Sequence, residues 1–115
     1  MNNNIIYRQL AQKESTDTSH NAGQKQVLLN GSETETNLTQ VAFGVLAPNE
    51  IVAEHIHNDM EECFYFIEGK GIYRLNGEEY KVFPGTFIKI PANTTHELEA
   101  IEEKPLRFIY WGIIN

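Results

Sequence analysis

The sequence has few of the features that direct a protein to an oxidising compartment or into a membrane. Its one cysteine, Cys63, cannot form an internal disulfide, which indicates a reducing environment. No apolar run approaches the roughly 18 residues of a membrane span. Residues 1–12 also lack the apolar stretch of a signal peptide. We therefore expect a cytoplasmic protein with no membrane partner.

Basic residues are also scarce. Nine Lys and Arg residues stand against sixteen Asp and Glu residues, which gives a formal net charge of −7. Such an excess of negative charge disfavours nucleic acid and anionic membrane surfaces as partners. With 41% hydrophobic residues among 115, the chain can build one hydrophobic core but is too short for two.

The sequence contains no convincing amphipathic helix. Instead, short apolar runs recur at intervals of roughly 8–12 residues, separated by Gly, Pro and Asn. The pair Asn76-Gly77 is typical of a type I′ hairpin turn. This pattern predicts an all-β sandwich or barrel. The predicted strands are 25–29, 38–47, 51–57, 63–68, 71–75, 79–83, 86–90, 96–101 and 106–114.

Histidine and carboxylate side chains stand out near the middle of the chain. His55 and His57 are two residues apart, so on one strand their side chains leave the same face. Glu62 opens the next apolar run, and His96 begins a later one. Imidazole and carboxylate groups that converge from neighbouring strands are typical of a divalent-metal site.

The spacing of these residues resembles two motifs of the cupin superfamily. His-x-His, four residues, Glu, six residues, Gly is matched by His55, His57, Glu62 and Gly69. The second motif, Gly, five residues, Pro-x-Gly, two residues, His, is matched by Gly85, Pro91 and His96. The resemblance covers about residues 40–112 and is closest to the small single-domain members.

The chain departs from the family pattern in three places. Asn49 stands where the first motif opens with Gly, and Asn93 replaces the Gly of Pro-x-Gly in the second. Asn tolerates a positive φ better than other non-glycine residues, so both replacements are compatible with a turn. Ala100 replaces the terminal Asn of the second motif. None of these changes removes a metal ligand.

The resemblance implies a double-stranded β-helix, a jelly-roll barrel, with one divalent metal inside one end. The implied ligands are His55, His57, Glu62 and His96. Mn, Fe, Zn, Ni and Cu all accept imidazole and carboxylate, so the ligands do not identify the ion. Three neutral imidazoles and one carboxylate leave a net charge near +1 around a divalent ion, with two open positions if the geometry is octahedral.

We expect a site for a small polar organic ligand, such as a sugar or an oxo acid, with dioxygenase or isomerase chemistry. The alternative is a non-catalytic binding or sensor module in which the metal orders the barrel. Tyr73 and Tyr110 are candidate proton donors on inward faces, although simple packing is the more ordinary role for each.

Three further residues that carry side chains of metal-ligating type are expected to lie outside the metal site. Glu61 competes with Glu62, but Glu62 shares a strand face with Phe64 and Phe66, so Glu61 is expected to point outward. Cys63 alternates away from Glu62 and is expected on the outer or interface side. His20 is interpreted as a solvated loop histidine, with a role at the barrel mouth as the alternative.

The chain is expected to form one structural domain, with residues 37–115 as the barrel and residues 1–36 as an N-terminal arm and strand or strands. Two predicted strands are apolar on both faces, which indicates that something covers the outside of a sheet. We expect a homodimer, with Trp111 and Phe43 as candidate contacts and the arm exchanged between subunits. The alternative is cover by residues 1–30 of the same chain.

Overall fold

The computed structural model describes residues 4–18 and 22–115, which form ten β-strands and two short 3-10 helices. The helices are Leu10–Gln12 and Gly31–Glu33. The strands are β1 (Thr16–Asp17), β2 (Gln24–Asn30), β3 (Leu38–Leu46), β4 (Ile51–His55), β5 (Met60–Glu68), β6 (Gly71–Leu75), β7 (Glu78–Val82), β8 (Phe87–Ile90), β9 (His96–Ala100) and β10 (Leu106–Ile114).

The strands form two antiparallel sheets. The first has six strands in the order β1, β2, β3, β10, β5, β8, and the second has four in the order β4, β9, β6, β7. Neighbours in each sheet are often distant in sequence, as when β10 lies between β3 and β5. This crossing between two antiparallel sheets is a jelly roll, which confirms the predicted all-β fold.

The core lies between the inner faces of the two sheets. Phe66, Leu46 and Leu106 of the larger sheet are 1% exposed or less. Val82 and Leu98 of the smaller sheet are 1% and 2% exposed. Period-2 alternation places these residues on one side of each strand, and full burial of each large apolar side chain contributes about 1.5–3 kcal/mol. The two sheets are thereby held face to face.

Asparagine takes left-handed backbone conformations at three turns. Asn76 and Gly77 have φ values of 50° and 83°, as a type I′ hairpin between β6 and β7 requires. Asn49 and Asn93 have φ values of 68° and 65°. The two Asn-for-Gly departures from the motifs therefore retain the positive φ that a glycine would supply.

One strand boundary differs from its prediction in a way that affects the site. The prediction continued a strand through His57, but β4 ends at His55. The backbone carbonyl of His57 instead accepts a hydrogen bond from the N–H of Asn93 at 2.7 Å. His57 is therefore held in a loop by the turn that precedes β9.

The described part of the N-terminal segment runs along β2. The side-chain amide of Gln26 donates to the carbonyl oxygens of Leu10 and Lys13 at 2.9 and 3.0 Å. Arg8 donates to the carbonyl of Leu28 at 2.7 Å. Ile5, which precedes Arg8 in the chain, has a side chain that is 95% exposed. Within residues 4–18 and 22–115, no helix is long and apolar enough to cross a membrane.

Candidate metal centre

Four side chains from both sheets meet at one end of the barrel. His55 ends β4, His57 follows two residues later, Glu62 lies in β5, and His96 begins β9. One potential ligand atom from each of the four lies within 4.8 Å of the others. The structure thus gathers the four residues that the motif spacing singled out.

The strand pairing explains how the histidines come together. His55 and His96 are directly paired between the antiparallel strands β4 and β9, and their ring centroids lie 4.0 Å apart. The register of this pair shifts between Val52 and His55, as a β-bulge does. Bulges re-aim side chains at strand ends. Glu62 reaches the cluster from the opposite sheet, on the inward face that it shares with Phe64.

Backbone carbonyls orient two of the imidazole rings. Nδ1 of His55 lies 2.9 Å from the carbonyl oxygen of Ala53, and Nδ1 of His96 lies 2.8 Å from that of Thr94. Because a carbonyl oxygen only accepts hydrogen bonds, Nδ1 carries the proton in each ring. Nε2 then keeps its lone pair, which is the arrangement found in metal-ligating histidines.

The buried Nε2 of His96 tests whether a metal ion fits. His96 is 2% exposed, and no described residue forms a hydrogen bond with its Nε2. Leaving a buried polar atom unsatisfied is costly, so such an atom calls for an explanation. Oε1 of Glu62 lies 3.5 Å from Nε2 of both His96 and His57. Two ligands about 2.1 Å from one ion stand about 3–3.4 Å apart, so the donor set fits a divalent ion.

A cavity of about 170 Å³ adjoins the cluster. Its apolar wall includes Phe64, Phe108 and Leu98. Tyr110 also lines it and stacks on Phe64, with ring centroids 5.2 Å apart and planes 8° from parallel. An apolar pocket with a few convergent polar groups is typical of a small-molecule site.

Both candidate tyrosines line this cavity. Burial, and to a lesser extent the charge of Glu62, raises the pKa of Tyr110 to about 12. Burial, followed by smaller effects of Glu62 and Tyr110, raises the pKa of the fully buried Tyr73 well above its usual value. Both phenols therefore keep their protons at neutral pH and can donate hydrogen bonds into the cavity.

The competing residues lie away from the cluster. Glu61 forms an ion pair with Lys89 at 3.5 Å, whereas Glu62 belongs to the cluster. Cys63 is 8% exposed, is not part of the cluster, and has a thiol pKa that burial raises. His20 lies outside the described residues.

Lys25 and Gln40 line the same cavity, and the sequence alone did not single them out. Lys25 lies on β2 and Gln40 lies on β3. The feature of the sequence that could have identified them is the position of each polar residue within an apolar strand. Which face each one takes depends on strand register, and the register between β2 and β3 shifts between Val27 and Leu29. Period-2 alternation cannot be followed through such an irregularity.

A jelly-roll barrel with three histidines and one glutamate gathered between its sheets defines a metal-capable cupin-type barrel. In agreement, a family model described as a cupin domain matches residues 42–112. The chain belongs to the cupin family.

Relatives with assigned names align with parts of the chain. The tetracenomycin polyketide synthase protein TcmJ of Streptomyces glaucescens is 32% identical over 65 residues, covering 56% of this chain and 44% of that protein. Quercetin 2,3-dioxygenase of Bacillus subtilis is 38% identical over 45 residues, covering 39% of this chain and 13% of that enzyme. The chain thus spans less than half the length of either relative.

Among solved structures, a predicted oxalate decarboxylase from Thermotoga maritima superposes with a TM-score of 0.86 at 19% identity. The superposition covers 93% of this chain and 97% of that one. At this level of identity the likeness shows the fold.

Proposed function

We propose that the chain holds one divalent transition-metal ion through His55, His57, Glu62 and His96, and that it binds a small polar organic ligand in the adjoining cavity. The buried Nε2 of His96 supports this most directly, because it is aimed at the cluster and no described residue satisfies it. A bound ion would accept its lone pair. Mn, Fe, Zn, Ni and Cu all suit this donor set.

When bound, such an ion supplies Lewis-acid chemistry and, if it is Fe(II), a place for O₂. The chain itself provides an apolar wall beside the ligand, together with two protonated phenols. We propose that Tyr110 and Tyr73, which line the cavity, donate a hydrogen bond or a proton to a ligand oxygen that becomes negative. We propose dioxygenase or isomerase chemistry on this basis. The name of the Bacillus subtilis relative supports the first of these.

The metal proposal is tested by elemental analysis of natively produced protein. We expect about one equivalent of a divalent transition metal in the wild type. His96→Ala and Glu62→Ala should lower it by at least tenfold, because each removes a ligand. Glu61→Ala is the matched control, since Glu61 is adjacent in sequence but pairs with Lys89. Stoichiometric metal in the two ligand variants would show that the assignment is wrong.

The reaction class is tested by changing the metal. Protein loaded anaerobically with Fe(II) should consume O₂ when air and a mixture of small oxo acids and sugars are admitted, if it is a dioxygenase. An isomerase should convert the same mixture with Zn or Mn and without O₂. Ligand-induced thermal shifts without turnover in either assay would instead indicate the binding or sensor module.

We further propose that a second copy of the chain covers the outer face of the larger sheet. Tyr65 and Phe87 are paired there between β5 and β8, and they are 44% and 55% exposed. The ring centroids of Phe87 and Trp111 lie 6.4 Å apart. The exposed apolar side chains of the N-terminal arm, such as Ile5, support an exchange of arms between the two copies.

A further inference from the structure

We propose that the cavity beside the cluster is selective for a small carboxylate, which Lys25 and Gln40 receive at the side of the cavity formed by β2 and β3. This inference rests on the proposed metal-dependent function and narrows its ligand. It favours an oxo acid or a short dicarboxylate over a neutral sugar.

Strand pairing places Lys25 on the inward face. Lys25 is paired with Gly44 between β2 and β3. Gly44 is itself an inward position, because a Cβ there would lie 2.5 Å from the ring of the core residue Phe108. Lys25 and Gln40 both line the cavity, and the Lys25 ammonium donates to the Gln40 side-chain oxygen at 3.2 Å. The amide thus orients the ammonium within the cavity.

The charge of Lys25 has no counter-ion in the described part of the chain. No carboxylate of residues 4–18 and 22–115 forms an ion pair with it, whereas Lys89, Arg74 and Arg107 each have a glutamate partner. Lys25 is only partly exposed, so water screens its charge incompletely. An ammonium has three N–H donors, and Gln40 uses one. The others remain for a ligand carboxylate.

The charged residues around the cavity fall into two groups on different strands. One is the metal cluster, and the other is Lys25, the single Lys or Arg among the lining residues that the structure describes. A divalent ion with three neutral imidazoles and Glu62 has a net charge of about +1. With Lys25, the cavity then offers two separated positive centres inside a protein of net charge −7. Two separated centres suit a ligand with negative or oxygen-rich groups at both ends.

The volume of the cavity suits a small ligand. A cavity of about 150 Å³ holds benzene, and this one measures about 170 Å³. A ligand of about six to eight non-hydrogen atoms is therefore expected. The apolar wall of Phe64, Phe108 and Leu98 suits a hydrocarbon link between its two ends. A neutral sugar would instead place hydroxyl groups against this wall and leave the ammonium without a counter-charge.

Succinate and succinamide provide a matched pair of probes, because both have eight non-hydrogen atoms and only succinate is charged. Calorimetric titration of the metal-loaded protein should show succinate binding and at least tenfold weaker binding of succinamide. Lys25→Gln should weaken succinate binding by about 10- to 100-fold, as loss of a charged hydrogen bond does. Lys25→Arg, which keeps the charge, should retain most of the affinity. Lys89→Gln, which removes a lysine from the outer face, should bind as the wild type does.

Metal content is measured on every sample before any ligand is added. If the wild type holds metal but binds no succinate, or if Lys25→Gln binds it as tightly as the wild type, the carboxylate site is wrong and the metal function stands. If the wild type takes up no metal at all, the proposed function fails first, and this inference fails with it.

Discussion

At the scale of single residues, the phenol of Tyr110 lines the cavity and also makes the stability of the barrel depend on pH. Its pKa of about 12, set first by burial and then by the charge of Glu62, lies above the value of 10.0 for a free tyrosine. The folded protein therefore holds this proton more tightly than the unfolded chain does. The resulting stabilisation is fully present below pH 10 and is lost as the pH rises towards 12.

Tyr110→Phe removes this dependence. The free energy of unfolding of the wild type should fall between pH 10 and 12, and that of the variant should fall less, with a difference of up to about 2–3 kcal/mol. Urea unfolding at a series of pH values measures both, with each protein referred to its own value at pH 7. Parallel curves for the two proteins would contradict the burial of this phenol.

At the scale of elements, the turn before β9 connects the second motif to the first. The N–H of Asn93 donates to the carbonyl of His57, and Asn93 holds a φ of 65°. A left-handed conformation costs most non-glycine residues about 1–2 kcal/mol, and Asn and Gly less. The hydrogen bond from this turn thus holds the loop that presents a candidate ligand.

Asn93→Ala is expected to lower the free energy of unfolding by about 1 kcal/mol, because alanine tolerates the positive φ poorly. The substitution should also weaken metal binding, since the turn that donates a hydrogen bond to the carbonyl of His57 would no longer be held in its left-handed conformation. Asn93→Gly is the matched control and should keep both the stability and the affinity. Denaturant unfolding and competition with a metal chelator measure the two effects. Equal affinity of the two variants for metal would show that the turn does not position His57.

The sequence predicted what depends on local period and turn chemistry. Alternation along β5 separated Glu62 from Glu61, and Asn76-Gly77 predicted its hairpin turn. The sequence did not predict that β4 would end at His55, because the hydrogen bond that holds His57 outside the strand comes from Asn93, which is 36 positions later. Nor did it identify Lys25 as a cavity residue, because that depends on the register of β2 against β3 and on the shift within it.

At the scale of the whole molecule, the outer face of the larger sheet keeps exposed apolar side chains among residues 4–18 and 22–115. The N-terminal segment lies along β2 through the contacts of Gln26 and Arg8. This contact provides part of the cover by residues 1–30 of the same chain that was the alternative to a dimer. The half-buried Phe43 and Trp111 are accompanied by more exposed neighbours, Tyr65, Ile67 and Phe87. Several large apolar side chains on one face are typical of an interface between subunits.

Phe87→Lys is expected to convert a dimer into a monomer, because a lysine beside Tyr65 on this face would bring a charge into an apolar interface. Sedimentation velocity at micromolar concentration should give a dimer for the wild type and a monomer for the variant. Tyr80→Lys is the matched control, since Tyr80 is 44% exposed but lies on β7 of the other sheet. It adds the same charge and should leave the dimer intact. A wild type that sediments as a monomer would show that no second copy covers this face.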